Sequence, residues 1–425
     1  MTGLEAHAAE VHGAAWTIKE MFVYPNEYIY WSIQIVLYPF MTGLVAGAFV
    51  LSSLYHVFGR TELKDMARFS LLFSFALLVA APMPLLFHLL QPQRGVFVFF
   101  TPHFTSAIAA FGIVFFTYSA IVASEIWFVS RTFFVHEIER LRNAEGICNR
   151  VRYCCYRGMS LGAYDMGPGA DQADHKAIKI LSGIGIPVAC FLHGYAGFIF
   201  GSVKANALWM TPLMPVIFIM SAIVSGIALC MLTYIIIMEY RKLRALRNRK
   251  PWMPAKDIAG VEIETVKITA RYLVGFMVAA ISLELLDLVF RGYTAVKSWD
   301  ILRAVIYERD FIDIFILQYG IGNLLPFIML LWPRLTVRRA VVALVLVLMG
   351  VFMMRWNVVI GGQSFSLTFA GFMHYHMPFM PHNLETYREG FFGLLTILVL
   401  PFVLLWLVNK LVPVLSGGEE ETSGH

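Results

Sequence analysis

Charge is scarce in this chain: Asp, Glu, Lys and Arg together make up 14% of its residues, where a soluble domain carries about 25%. That shortage, beside 59% hydrophobic residues and a mean hydropathy of +0.69, excludes an ordinary water-soluble globule. Cysteine is also scarce. Of the five, Cys148, Cys154 and Cys155 are spaced C-x5-C-C, which matches neither zinc nor iron–sulfur spacings, so a metal centre is not expected. Three motifs are missing altogether: a Walker loop, a dinucleotide fingerprint and a Cys-x-x-Cys-His haem attachment. A basic, cleavable leader is missing too, because residues 1–28 hold Glu5, Glu10, Glu20 and Glu27 against the single Lys19.

What the chain does have is long apolar runs. Nine of them, at 29–56, 69–91, 104–130, 177–201, 212–238, 268–290, 311–332, 340–358 and 391–413, approach or exceed the ~20 residues a helix needs to cross a bilayer. The expected fold is therefore all-α, a polytopic membrane bundle of nine helices, ten at most. Residues 29–413 form the transmembrane domain, between an extracytoplasmic segment 1–28 and a cytoplasmic tail 414–425. Alternate connections, including 131–176 and 241–267, hold 24 of the 33 Lys and Arg once Lys179, Arg271 and Lys410 at the adjoining helix ends are included. The positive-inside rule puts them in the cytoplasm, which leaves the N-terminus and the 358–390 loop outside in a bacterial inner membrane. The net charge of +5 thus reflects topology and membrane lipids, not nucleic acid. The exception is 291–310, where Arg291, Lys297, Arg303 and Arg309 fall on the outer side.

In hydrocarbon a charged side chain costs about 2.5–3.5 kcal/mol at the helix centre, so each one kept there needs a reason. Four outward-running helices place polar groups near one surface. They are His88, Gln91 and Arg94 on the second helix, His193 and Tyr195 on the fourth, Glu284 and Asp287 on the sixth, and Arg355, Asn357 and Gln363 after the eighth. Such a cluster suits a quinone, which needs an apolar cleft, hydrogen bonds at its carbonyls and groups that can exchange protons. His88, Asp287 and His193 are the candidate catalytic groups. Arg355 is expected to pair with a buried carboxylate, and Gly361 and Gly362 would let the chain turn sharply. On the opposite side Tyr118 and Glu125, and Tyr234 and Glu239, offer hydroxyls leading to a carboxylate, which a cytoplasmic proton path would use; the alternative is that each Glu only pairs with Arg131 or Arg241. A b-type haem held by two of His56, His88, His103 and His193, a proton-coupled transporter and a structural anchor are the competing classes. No helix carries two histidines spaced to stack two haems, and transporters place their sites at the midplane.

At these residues the chain resembles the NrfD/PsrC family of membrane subunits. "YWSIQIVLYPFMTGLVAGAFVLSSL" is similar to the family's first helix, with its Trp, Tyr and Gly-x-x-x-Gly. "LHGYAGFIFGSVKANALWMTPLMPVIFIMSAIVSG" follows its His…Trp-x-x-Pro-x-x-Pro…Ser-Gly pattern, and "RWNVVIGGQ" its Arg-x-Asn-Val-Val-x-Gly-Gly-Gln ending. In "LLFHLLQPQR" the family's Asp is replaced by His88 and its Arg by Gln91. That departure and the long 131–176 insert make the chain look most like the membrane subunit of menaquinone reductase (Qrc) complexes. The resemblance implies two four-helix bundles plus one extra helix and no redox centre in this chain. It also implies docking to a periplasmic iron–sulfur subunit beside a molybdopterin-oxidoreductase-like subunit. Electrons from a multihaem cytochrome c would reduce menaquinone, with the proton-handling role moved from position 88 to Asp287. Quinol oxidation within a polysulfide-reductase-like complex is the alternative direction.

Overall fold

A computed structural model describes residues 29–103, 105–106, 108–203, 206–247, 260–293, 299–364 and 372–413. The N-terminal segment 1–28 and the tail 414–425 lie outside the described residues, as do parts of the 241–267 and 358–390 connections. Among the described residues, nine helices are long and apolar enough to span a bilayer: α1 (Ile33–His56), α2 (Thr61–His88), α3 (Ala109–Leu141), α4 (Pro168–Gly201), α5 (Met214–Arg247), α6 (Ile263–Tyr293), α7 (Ile312–Leu331), α8 (Val337–Gly361) and α9 (Phe391–Leu411). The chain is a multi-pass membrane protein.

Several helices outrun their apolar segments at the basic end. α3 reaches Leu141, α4 begins at Pro168 and α5 continues to Arg247. Residues such as Arg, Glu, Lys and Leu are good helix formers, so the hydrogen-bond ladder continues after the hydrocarbon stops. Between α3 and α4 a further helix, Ile147–Met159, lies across the basic end. It is tied down by Trp127 Nε1 donating to Met159 O at 2.7 Å and by the Tyr156 hydroxyl donating to Leu411 O at 3.1 Å. α2 breaks after Ala80 and resumes at Met83, where Pro82 and Pro84 remove backbone donors.

α1 is the axis of the bundle, with every residue from Ile33 to Leu54 buried. It packs with α2, α4 and α5, while α5 also packs with α6 and α8, and α7 lies against α6 and α8; α3 covers α4 and α9 covers α2. Two crossings are set by glycine pairs. A Cβ on Gly47 would lie 2.3 Å from Ala222 O on α5, and one on Gly322 would lie 2.2 Å from the Gly350 Cα on α8. Small residues of this kind let helix backbones touch where lipid supplies no hydrophobic drive.

A methyl at either crossing must push two helices apart. Gly226→Ala and Gly350→Ala should each destabilise the bundle by about 1–3 kcal/mol, seen as a lower midpoint of thermal unfolding in detergent. Gly183→Ala and Gly275→Ala, where a Cβ meets nothing within 4 Å, should leave that midpoint unchanged or raised. Equal midpoints in all four variants would contradict glycine-set crossings.

Candidate functional site

At the end of the bundle opposite the basic loops, α6, α7 and α8 open a cleft of about 700 Å³ including its mouth. Its walls are apolar, among them Met214, Ile217, Leu288, Ile314, Met354 and Val358. Glu284, Asp287 and Arg291 enter it from one face of α6, spaced i, i+3 and i+7. Gln318 and Tyr319 come from α7 and Asn357 from α8. Gln318 and Asn357 both sit in π-helical backbone, Ile312–Leu324 and Asn357–Gly361, a local unwinding frequent at functional sites.

The polar groups form two sets. Asn357 Nδ2 donates to Gln318 Oε1 at 2.8 Å, and Gln318 Nε2 donates to Glu284 Oε2 at 2.9 Å, a chain across three helices. Asp287 is held differently. Arg291 Nε donates to its Oδ2 at 2.8 Å and the Thr211 hydroxyl to its Oδ1 at 2.5 Å. The remaining Arg291 nitrogens donate to Ala207 O and Leu208 O at 2.8 and 3.2 Å. Arg291 is thus an internal counter-ion and clamp, which explains one of the basic residues on the less basic side. Arg309 is another, 3.2 Å from Asp310. Burial raises the Asp310 carboxyl above its usual range, while Arg309 opposes the shift.

Behind the cleft lies Arg355, fully buried. The carboxylate partner expected for it is not found: its ion-pair range holds none among the described residues. Instead Nη2 donates to Ser221 Oγ at 2.7 Å and to Phe218 O at 3.3 Å, and stands 3.0 Å from His193 Nε2. The guanidinium also lies 3.8 Å from the Phe218 ring centroid. A guanidinium only donates, so His193 Nε2 must accept and the ring proton sits on Nδ1. That proton points to Thr42 Oγ1 at 3.3 Å, and the Thr42 hydroxyl donates to Tyr38 O at 3.1 Å.

The stretch after Arg355 works as a clamp. Gln363 takes the Trp31 N–H on Oε1 at 3.0 Å and returns a bond to Trp31 O at 3.2 Å. Trp31 stacks on Trp209 at 5.0 Å, whose Nε1 donates to Val358 O at 2.5 Å. The expected sharp turn at Gly361 and Gly362 is not formed. Gly362 has an ordinary φ of −65°, and the pair serve close approach instead: a Cβ on Gly362 would fall 2.0 Å from Trp209 Nε1.

The other candidates lie elsewhere. His88 joins a separate cluster, its Nδ1 3.1 Å from Glu389 Oε1, with the Ser32 hydroxyl donating to the same carboxylate. Gln91 and Arg94 are exposed, and Tyr195 sits among Phe111, Phe191 and Phe198. At the basic half, Tyr118 and Glu125 are buried. Glu125 accepts from the Ser182 hydroxyl at 2.6 Å and its other oxygen has no partner. The alternative pairing with Arg131 is not formed, because Arg131 bonds Asp174 at 2.7 Å. Tyr234 is buried beside Phe69, while Glu239 is partly exposed, 4.0 Å from Lys242. Gln318, Thr211, Ser32, Glu389 and Gln34, whose Nε2 donates to Arg388 O, are additions to the expected set. Gln318 and Gln34 interrupt apolar runs as visibly as Asn357 does. Among the described residues no group of three His, Cys, Asp or Glu could hold a metal ion.

Residues 24–367 match the family model described as polysulphide reductase, NrfD. A selenate reductase subunit of Mesobacillus selenatarsenatis is 32% identical over 212 residues, 49% of each chain. A putative dimethyl sulfoxide reductase membrane subunit of Halobacterium salinarum is 26% identical over 318 residues, 73% of this chain and 64% of that one. The chain thus spans from about half to under two thirds of these relatives' lengths. With more than half of it matched by the family model, the chain belongs to the NrfD family.

Gln318 is the link that satisfies both neighbours. Gln318→Leu leaves a buried carboxyl and a buried amide each short of a bond, at about 1–3 kcal/mol apiece. Its unfolding midpoint should fall, while Gln91→Leu, at an exposed position, should leave it in place. Wild-type stability in Gln318→Leu would show that the chain of bonds is not formed.

Proposed function

We propose that this NrfD-family subunit binds a quinone headgroup in the α6–α7–α8 cleft and exchanges its protons there, within a membrane-bound reductase complex. One observation carries it: the Glu284–Gln318–Asn357 chain lies in an apolar cleft near one end of the bundle, where a ring and an isoprenoid tail both find their solvent. Within it the two carboxyls divide the work. Asp287 is committed to Arg291 and Thr211, so taking a proton would break an ion pair, whereas protonating Glu284 breaks none. Glu284 therefore handles the proton, Gln318 and Asn357 orient the carbonyls, and Asp287 with Arg291 holds the wall. Arg355 and His193 fix α8 from behind. His88 belongs to the junction of α1, α2 and Glu389.

The quinone is menaquinone and the chain holds no redox centre of its own. Electrons pass through an iron–sulfur subunit docked on the less basic end, beside a molybdopterin-oxidoreductase-like subunit, with a multihaem cytochrome c as donor in the menaquinone-reductase (Qrc) reading. Exposed Leu90, Phe100, Phe379 and Leu384 on that end give the partner an apolar surface to cover. The subunit lies in the bacterial inner membrane with this end and the N-terminus outside. Protons for the reduced ring come from the cytoplasm by way of Glu125 and Tyr118. The opposite direction, quinol oxidation, is favoured by the relatives' names, selenate reductase and dimethyl sulfoxide reductase.

In the assembled complex, Glu284→Gln should slow quinone turnover by about 10²–10⁴-fold, the usual loss of a positioned acid or base. His88→Ala should change it less than tenfold. In liposomes Glu125→Gln should suppress the membrane potential built during turnover. Wild-type turnover in Glu284→Gln would remove the cleft from the chemistry, and an unchanged potential in Glu125→Gln would remove the proton path.

A further inference from the structure

The basic end of the bundle holds a second built cavity, at the start of α6 and the end of α7, which plays no part in the quinone reading. Lys267 and Arg271, one turn apart on α6, face Arg334 from the turn after α7, and no carboxylate lines the space between them. Its floor is apolar, with Val274, Leu330 and Leu335, and about 660 Å³ is empty including the opening. Lys267 has a partner, Glu264 at 3.1 Å, on the solvent side of α6. The side chains of Arg271 and Arg334 have neither an ion pair nor a hydrogen bond among the described residues. The neighbouring Arg339 donates through Nη2 to Trp332 O and Pro333 O at 3.0 and 3.2 Å and does not line the cavity.

The depth of the cavity says what it faces. Trp332 is 62% exposed at its rim, and exposed tryptophans gather at the headgroup layer of a bilayer. Arg271 lies a turn inside the apolar run of α6, the position from which an arginine reaches back to a phosphate. Leu331 and Ile328 of α7 are exposed just below, offering a track for hydrocarbon. Cations above an apolar floor, at headgroup depth and without carboxylates, fit a phosphodiester carrying acyl chains.

We propose that the cleft formed by Lys267, Arg271 and Arg334 binds the headgroup of an anionic phospholipid of the phosphatidylglycerol or cardiolipin class, with its chains along α6 and α7. The guanidinium of Arg271 takes the phosphate bidentately, Arg334 closes over it from the turn, and Lys267 adds a point charge shared with Glu264.

The test is native mass spectrometry of the full subunit in detergent, titrated with phosphatidylglycerol or phosphatidylcholine. The wild type should retain phosphatidylglycerol and not phosphatidylcholine. Arg271→Gln and Arg334→Gln should each weaken retention about fivefold, or ~1 kcal/mol per cation near an anionic surface. The triple Gln variant should weaken it more than 100-fold. Arg338→Gln, at the start of α8 and outside the cavity, should match wild type. If the triple variant does not fold, Arg334→Gln alone decides, since its side chain is exposed. Equal retention in Arg334→Gln and wild type, equal retention of phosphatidylcholine, or displacement by millimolar inorganic phosphate would each overturn the assignment, the last by making it a free-anion site.

Discussion

A fully buried guanidinium in a membrane bundle is the constraint on which the rest depends. Arg355 has no carboxylate within ion-pair distance among the described residues, yet it sits where a bare charge costs several kcal/mol. The protein meets that cost with a carbonyl, a hydroxyl, an aromatic face and an imidazole from two other helices. To accept from Arg355, His193 must keep its proton on Nδ1, which then needs Thr42 on α1. One cation therefore sets the mutual position of α1, α4, α5 and α8. Replacing Arg355 alone would leave the His193 nitrogen and the Ser221 hydroxyl without their donor, and removing one acceptor would leave part of a buried cation unpaired, so either change by itself is destabilising.

That fixed helix end makes the cleft possible. Two residues beyond Arg355, the backbone unwinds into a π turn that aims Asn357 at Gln318, and the π segment of α7 aims Gln318 at Glu284. Beyond it, Gly362 lets the Trp209 ring lie directly on the backbone, while Gln363 grips the start of α1 through Trp31. The charged pair Asp287–Arg291 closes the other wall and anchors the connection between α4 and α5 through Ala207 and Leu208. The result is a set of hydrogen-bonding groups held rigidly in an apolar room, open at one end of the bundle.

Much of this is visible in the amino-acid sequence. Apolar runs locate the nine spanning helices found among the described residues, because the bilayer imposes a minimum length that few other structures need. They place the basic ends of α2 to α6 one to three turns short, since hydropathy measures the hydrocarbon and not the hydrogen-bond ladder. Polar residues inside apolar runs point to Glu284, Asp287, Arg355 and Asn357. Gln318 and Gln34 interrupt their apolar runs as Asn357 does, but without a charge beside them like Arg355. What cannot be read is who pairs with whom. Arg355 takes His193 instead of an acid, and His88 takes Glu389, because helix crossings bring together residues 162 and 301 positions apart in the chain.

The central claim is the location of the quinone ring, and the most direct measurement is photolabelling of the intact complex with an azido-menaquinone followed by peptide mapping. Label on α6, α7 and α8 around Glu284, Gln318 and Asn357, competed by unmodified menaquinone, is the predicted result. Label confined to α1, α2 and the Glu389 segment would contradict it and move the site to the His88 cluster.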